Sequence, residues 1–314
     1  MTAVPLQERL NPAQQRIIDE LGSTDRPTFA DNLAEVLRTE LVGELDPLVR
    51  ERDDQVFISK RVLNLIHGCE TRHVAENDAE FEWSVPAARG TVAHKAIELL
   101  VAWRGEPTAL DLVDDAFARL ENGDRNIAEF LQQLDRADRA ELAGQVNGFV
   151  NTFLETFPPL KRKWAPVAES RSRAFLCDDR VRLQGMVDLT LGRARGNEAG
   201  KVLIDLKTGA PHGEHVHDLR FYALVETLKL GVPPRLLVNY YLEAGEPRSE
   251  AVTEDLLFST LQRVVDAVHK LVELSDGRDP ALSPGSSCRF CPLERTCESS
   301  VTLMTDEERA DRGL

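Results

Sequence analysis

Asp188, Asp205 and Lys207 are the residues in this sequence best suited by type and spacing to carry out chemistry. Asp188 closes the string GMVD, and the other two sit in IDLKTG, each within a run of aliphatic residues that reads as a strand. Side chains two apart on a strand share a face, so Asp205 and Lys207 point the same way while Leu206 turns into the core. Hairpin pairing of these strands would bring Asp188 alongside. Two carboxylates on a sheet surface make a hard-oxygen site suited to Mg²⁺ or Mn²⁺. Such an ion neutralises charge on phosphoryl oxygens and makes a water nucleophilic, and a lysine beside it orients that water or stabilises developing negative charge. His94, in GTVAH at the start of a long helical pattern, is a candidate further ligand. A histidine by itself is more often structural, so its value lies in its company. Gly185 and Gly209 leave the backbone room for a substrate strand.

A second set of chemically competent residues lies near the C-terminus. Cys288, Cys291 and Cys297 have the spacing C-x2-C-x5-C, with Phe290 and Pro292 stiffening the loop, and Cys69 is available as a fourth thiolate. Five cysteines in all, without a secretory leader, argue against a disulfide framework and for a metal. Four thiolates make a closed tetrahedral zinc site, and they equally suit an iron–sulfur cluster. Cys177, at a turn between strand patterns, reads as an ordinary free thiol.

The elements that must position these groups follow from periodicity. NPAQQRIIDELG reads as a helix with Asn11 as N-cap and Gly22 as stop. LNPAQQ resembles the adenine-contacting motif of superfamily-one helicases, but no GxxxxGK[ST] loop follows, which leaves the capped helix. Residues 31–50 read as a second helix ending near Pro47, and VFISKRVLNLIHGCE as a short strand leading into an amphipathic helix that carries Cys69. PAARGTVAHKAIELLVAW reads as a loop entering a strong helix. Residues 108–160 carry helical periodicity up to Pro158-Pro159, a helical insertion or cap. PVAESRSRAFL, VRLQGMVDLTLGR and KVLIDLKTG are consecutive strand patterns, followed by a helix in HDLRFYALVETLKLG, a strand in PRLLVNYYLEAG and a closing helix over 251–275. This order predicts an α/β fold with a central mixed sheet flanked by helices. The expected organisation is an N-terminal helical segment over 1–50, a main domain over 51–300 with a helical insertion at about 104–160 and a metal-cluster loop at 286–298, and a polar tail over 301–314.

Composition narrows the class. The chain of 314 residues is 42% hydrophobic and 29% charged, as expected of a globular protein with a substantial core. No run reaches the roughly 18 apolar residues of a membrane span, and Met1–Leu10 lacks the apolar stretch of a secretory signal. A cytoplasmic protein is expected. The formal charge of −15 argues against a passive DNA coat but says little about a local groove. LKRKW at 160–164 is the densest basic cluster, a phosphate contact or a solvated linker. Phe81, Trp83, Trp103 and Trp164 are candidates for stacking on bases, although isolated aromatics more often pack in cores. His212, His215 and His217 read as a mobile loop near the site rather than as metal ligands.

GTVAH, GMVD, IDLKTG and DLRFY, in this order and each on its expected element, resemble the motifs of the PD-(D/E)XK nuclease superfamily. The resemblance runs from about Cys69 to Cys297 and is closest to the RecB-like branch, which includes the AddB nuclease domain and CRISPR-associated adaptation nucleases. It implies a restriction-endonuclease-like core in which His94, Asp188 and Asp205 bind the Mg²⁺ or Mn²⁺ and Lys207 completes the catalytic set. The branch's last motif has a glutamine four residues before a tyrosine; Tyr222 matches, whereas the glutamine position holds Asp218. Glu169, on the first strand, is a further acidic neighbour. Iron–sulfur members of this branch carry one upstream cysteine and a C-x2-C-x5-C tail, which implies a [4Fe-4S] cluster on Cys69, Cys288, Cys291 and Cys297, with structural Zn²⁺ as the alternative. The implied activity is hydrolysis of DNA, single-stranded or with free ends, in repair, recombination or CRISPR adaptation, alongside a helicase or repair partner and away from any membrane. A catalytically inactive DNA- or protein-binding module and an RNA-processing enzyme are the competing expectations.

Overall fold

The computed structural model describes residues 10–22, 25–123 and 125–303. Most of the polar tail expected over 301–314 therefore lies outside the described residues.

The elements follow in the order α1 (Pro12–Leu21), α2 (Leu33–Val49), β1 (Val56–Ile58), α3 (Lys60–Gly68), α4 (Glu70–Asp78), α5 (Val85–Ala102), α6 (Ala109–Glu121), α7 (Arg125–Gln133) and α8 (Arg136–Thr156). Beyond a short 3-10 turn come β2 (Val167–Leu176), β3 (Val181–Leu191), β4 (Val202–Lys207), α9 (His215–Leu230), β5 (Leu236–Tyr241), β6 (Glu246–Ala251), α10 (Glu254–Ser275) and α11 (Glu298–Leu303). Local chemistry accounts for many of the boundaries. Asn11 and Gln14 form a reciprocal capping box that starts α1. The glutamine that suggested a helicase motif is thus engaged in holding the helix, its side chain also reaching the Leu154 carbonyl. Ser59 caps α3, Ser84 caps α5 and Asp135 caps α8. Helix α2 runs two residues past Pro47, where a break was expected, because Leu45 and Val49 are both fully buried and hold the last turn in place.

The chain divides into two compact units. The first comprises Met1–Ala34, Trp83–Ser172 and Met186–Leu257; the second comprises Glu35–Glu82, Arg173–Gly185 and Phe258–Leu314. Strands β2 and β3 each contribute residues to both.

In the first unit, β3 is antiparallel to β4, β4 parallel to β5, and β5 antiparallel to β6, a mixed sheet flanked by helices. Helices α5, α6 and α8 pack on one another. Their apolar faces join Val202, Ile204 and Leu206 of β4 and Val238 and Tyr240 of β5 in one core. The alternate positions of β4 face the other way, toward α9, which packs on β4 and β5. Strand β4 is consequently covered on both sides, and Asp205 is only 1% exposed. The expected open sheet surface is a buried strand, since a helix follows on each face. Strand β6, not anticipated from the sequence, pairs with β5 and is mostly exposed.

In the second unit, β1 runs parallel to the start of β3, with Val56 opposite Val181. Cys69 lies at the junction of α3 and α4, serving as the last cap of one and the first of the other. Among the described residues, no helix is long and apolar enough to cross a membrane.

Candidate active site

The register of β3 and β4 sets Leu189 opposite Ile204. Asp188 precedes Leu189 and Asp205 follows Ile204, which puts both carboxylates at the same end of this antiparallel stretch. Asp188 Oδ2 accepts the Leu206 N–H at 2.7 Å, a contact that fixes its orientation. Its other oxygen, Oδ1, lies 3.2 Å from His94 Nδ1. His94 sits in the middle of α5 rather than at its start: Ser84 and Pro86 begin the helix earlier than the loop reading allowed. A Cβ on Gly90, one turn before His94, would lie 3.6 Å from Thr208 Oγ1, so α5 passes close to the turn that follows β4.

Lys207 shares a face with Asp205, and its ammonium lies 2.5 Å from Asp205 Oδ2 and 2.8 Å from Asp218 Oδ2. Asp218, where the motif resemblance implied glutamine, lies in the first turn of α9. Here it is a second carboxylate on the lysine. Both acids are almost wholly buried, where a charge without a partner would be costly, and the Lys207 ammonium lies against both. Tyr222, one turn beyond Asp218 on α9, is buried beside Phe221. The structure thus brings His94 to Asp188, and Lys207 to Asp205 and Asp218.

Glu169 lies in a neighbouring acidic group. It sits 3.9 Å from Lys95, which also pairs with Glu98 one helical turn from His94. Burial first, then the charge of Glu98, raises the Glu169 carboxyl above the usual carboxylate range, with Lys95 opposing. Its φ of 46° is a left-handed conformation uncommon for a non-glycine residue in a strand.

Tyr241, beside the site, was not singled out from the sequence. The β4–β5 register sets Tyr241 opposite Lys207, and the Tyr241 hydroxyl lies 3.2 Å from His215 Nδ1. His215 and His217 belong to α9 instead of a mobile loop, because the helix begins at His215. Burial and then the Lys207 charge push the His215 imidazole down to about 4, with Asp218 and Asp205 pulling the other way. An imidazole depressed in the folded state disfavours its charged form there. Stability is then fully present above the ordinary value of 6.5 and declines as pH falls from there toward 4. The His215→Gln variant should therefore lose less stability than the wild type between pH 7 and pH 5. Urea midpoints at the two pH values check this, and equal losses would refute it.

The donors at this site suit a hard divalent ion in kind: anionic oxygens from Asp188 and Asp205, and a ring nitrogen from His94. Among the described residues, however, no three His, Cys, Asp or Glu side chains already stand as a metal-holding group. The side chain facing Asp205 is the Lys207 ammonium.

In the second unit, Cys69, Cys288, Cys291 and Cys297 line one small cavity of about 20 Å³ together with Arg72. Gly285 N–H reaches Cys288 Sγ at 3.3 Å, and the Arg72 guanidinium bonds the Ser287 carbonyl. Burial pushes the Cys291 thiol up, an effect opposed by the Leu293 amide and Arg72 and reinforced by Cys69 and Cys288. Convergence of thiols from both ends of the sequence, with an amide donor on sulfur, is donor chemistry that fits a thiolate-bound metal. Cys177 is buried elsewhere in this unit, its thiol pushed up by burial and by Asp46 and Asp178, so it is chemically quiet. Of the aromatics considered for stacking, Trp83, Trp103 and Trp164 pack against the first unit's core, and Phe81 is exposed.

No curated protein matches this sequence. Solved structures do match, among them one entitled "Crystal structure of SSO0001", at 12% identity over 85% of this chain and 97% of that one; its TM-score of 0.35 is too low to support an argument. The profile of the PD-(D/E)XK nuclease superfamily matches residues 57–298, about three quarters of the chain, including GTVAH, GMVD, IDLKTG and DLRFY. The chain belongs to the PD-(D/E)XK nuclease superfamily.

Proposed function

We propose that this protein is a metal-dependent deoxyribonuclease of the RecB-like iron–sulfur branch, acting on single-stranded DNA or DNA ends in repair or recombination. The observation that carries this reading is the linked set at the β3–β4 pair, with His94 on Asp188 and Lys207 on Asp205 and Asp218. His94, Asp188 and Asp205 would hold Mg²⁺ or Mn²⁺. Bound there, the ion would neutralise phosphoryl oxygens and lower the pKa of an attacking water. Asp188 is held in place by the Leu206 amide, so it meets a ligand with little reorganisation. Lys207 orients the water or stabilises charge developing on phosphorus oxygens; Asp218 keeps its ammonium beside Asp205. Tyr222 supports the helix turn that carries Asp218. Glu169 and Glu98, bridged by Lys95, add negative charge beside His94. In the second unit, Cys69, Cys288, Cys291 and Cys297 would hold a [4Fe-4S] cluster, with Zn²⁺ as the rival occupant. A helicase or repair protein is the expected companion, since no nucleotide-hydrolysing motif occurs in the chain.

The test is cleavage of end-labelled single-stranded, double-stranded and circular DNA with Mn²⁺, Mg²⁺ or EDTA. Cleavage with a divalent ion and none in EDTA is expected, linear single strands being cut fastest. Binding of DNA with no cleavage under any condition would replace this reading with a non-catalytic binding module, for which the engagement of Lys207 by two carboxylates is the supporting observation.

A further inference from the structure

At the end of β3 and β4 away from the acidic set, the first unit contains a pocket of about 410 Å³. It is bounded by Leu191 and Val202, the last residue of β3 and the first of β4. Val202 lies three residues, or roughly 10 Å of strand, from Asp205. The pocket is therefore separate from the proposed catalytic set, and the inference does not depend on that reading.

Its walls are of two kinds. One is apolar, formed by Ile17, Ile18 and Leu21 of α1 and by Trp164, whose carbonyl accepts the Gly192 N–H at 2.6 Å. The other is cationic: Arg26, Lys161, Lys163 and Arg235 all contribute. No aspartate or glutamate is among the described lining residues, although the chain has 53 acidic against 38 basic residues. A basic pocket in so acidic a protein is a local departure that solubility does not explain.

Arg235 is the most telling member. It is only 8% exposed, its Nη2 donates to the Leu21 carbonyl, and its Nε has no acceptor among the described residues. Burial holds its guanidinium below the usual range, and the positive charge of Arg26 adds to this against the opposing Asp25. A buried cation with an unused donor, placed near a second cation, gains most from an anion. The geometry points to this pocket as a binding site for a nucleoside phosphate, the base lying against Trp164 and the α1 side chains and the phosphate meeting Arg235, Arg26 and the two lysines. The volume falls within the ~300–1,000 Å³ of small-molecule sites. Four cations suit a multiply charged phosphate better than a fatty carboxylate, and the aromatic and aliphatic walls would be superfluous for inorganic phosphate alone. The same chemistry is offered by a free nucleotide and by the phosphorylated end of a nucleic acid strand.

Calorimetric titration of the full chain in EDTA separates this from any metal-dependent event at the acidic set. The probes are deoxyadenosine 5′-monophosphate, inorganic phosphate, and a deoxytetranucleotide with and without a 5′-phosphate. Saturable one-to-one binding of the mononucleotide is expected. It should weaken by about tenfold or more in Arg235→Gln, the scale of one lost charge-assisted hydrogen bond, and severalfold in Lys163→Glu, an exposed change that leaves the core intact. Asp205→Asn should bind as the wild type does. Tighter binding of the 5′-phosphorylated tetranucleotide than of its unphosphorylated form, in competition with the mononucleotide, would identify strand ends as the source; competition by the mononucleotide alone would identify a free nucleotide. No saturable binding, equal affinity for inorganic phosphate, or binding indifferent to both Arg235→Gln and Lys163→Glu would overturn the proposal. Each of these results is independent of whether the protein cuts DNA.

Discussion

Asp205→Asn should reduce Mn²⁺-dependent DNA cleavage by on the order of 10³-fold or more, the scale on which an anchor of transition-state charge acts, while the protein still unfolds cooperatively. The reason lies in where the residue sits. Asp205 is almost fully buried, so its charge meets little water and its field on a nearby ion or phosphate is poorly screened. Asparagine keeps the shape and removes the anion, and Lys207 retains Asp218 as a partner at 2.8 Å, so no lone buried cation is created. Asp218→Gln supplies the contrast: it leaves Lys207 on Asp205 and restores the residue type of the RecB-like motif, so activity should persist within about tenfold, as for a supporting contact. Initial rates on labelled single strands measure both. An Asp205→Asn enzyme working at the wild-type rate would remove this carboxylate from the mechanism.

Cys291→Ser should strip the metal from the cysteine cavity and lower the melting temperature by roughly 10 °C, the shift that about 4 kcal/mol produces in a chain of this size. The four thiols come from positions 69, 288, 291 and 297, so a metal there closes a loop of roughly 220 residues, where cross-linking constrains the unfolded chain most. Serine offers no soft thiolate, and the residues after α10 should become the first site of proteolysis. Cys177→Ser, at a thiol away from the cavity, should keep both metal and stability. The visible spectrum of anaerobically purified protein, with iron and zinc analysis, provides the readout. A colourless wild type with one zinc per chain would replace the cluster with zinc; metal-free wild type with unaltered stability would dismiss both.

Much of this architecture was legible because its signals are local. The strand patterns around GMVD and IDLKTG rest on aliphatic runs bounded by turn residues, and the antiparallel pairing that puts Asp188 and Asp205 at one end of the paired stretch follows from these strands being neighbours in the chain. The capped start of α1 likewise depends on side chains within a few residues, whereas the Ser84 cap that starts α5 was read as loop. What was hidden depends on distant partners. The depth of Asp205 arises because α9 covers one face of β4 while α5, α6 and α8 supply the core on the other, which no property of IDLKTG reveals. His215 was read as a loop near the site because it follows Gly209 and precedes a helical pattern; its place in α9 and its contact with the Tyr241 hydroxyl depend on the distant strand β5. Asp218 looked like a defect in a motif until the Lys207 ammonium gave it a partner. Tyr241 could have been found from the parallel pairing of β4 and β5, had that pairing been evident from sequence.

Strand β6 escaped notice for a different reason, and that reason has a consequence. EPRSEA has neither alternation nor aliphatic bulk, since β6 lies at the end of the strand order and its side chains are mostly in solvent. Pro247 offers no amide hydrogen there, and the strand is rich in charge, with Arg248 over the Tyr241 ring and Glu250 paired with Arg220. An incoming strand, whether from a second copy or from an aggregating polypeptide, would find an interrupted ladder beside a strand with little apolar side chain. This edge of the sheet is thereby poorly suited to outward growth.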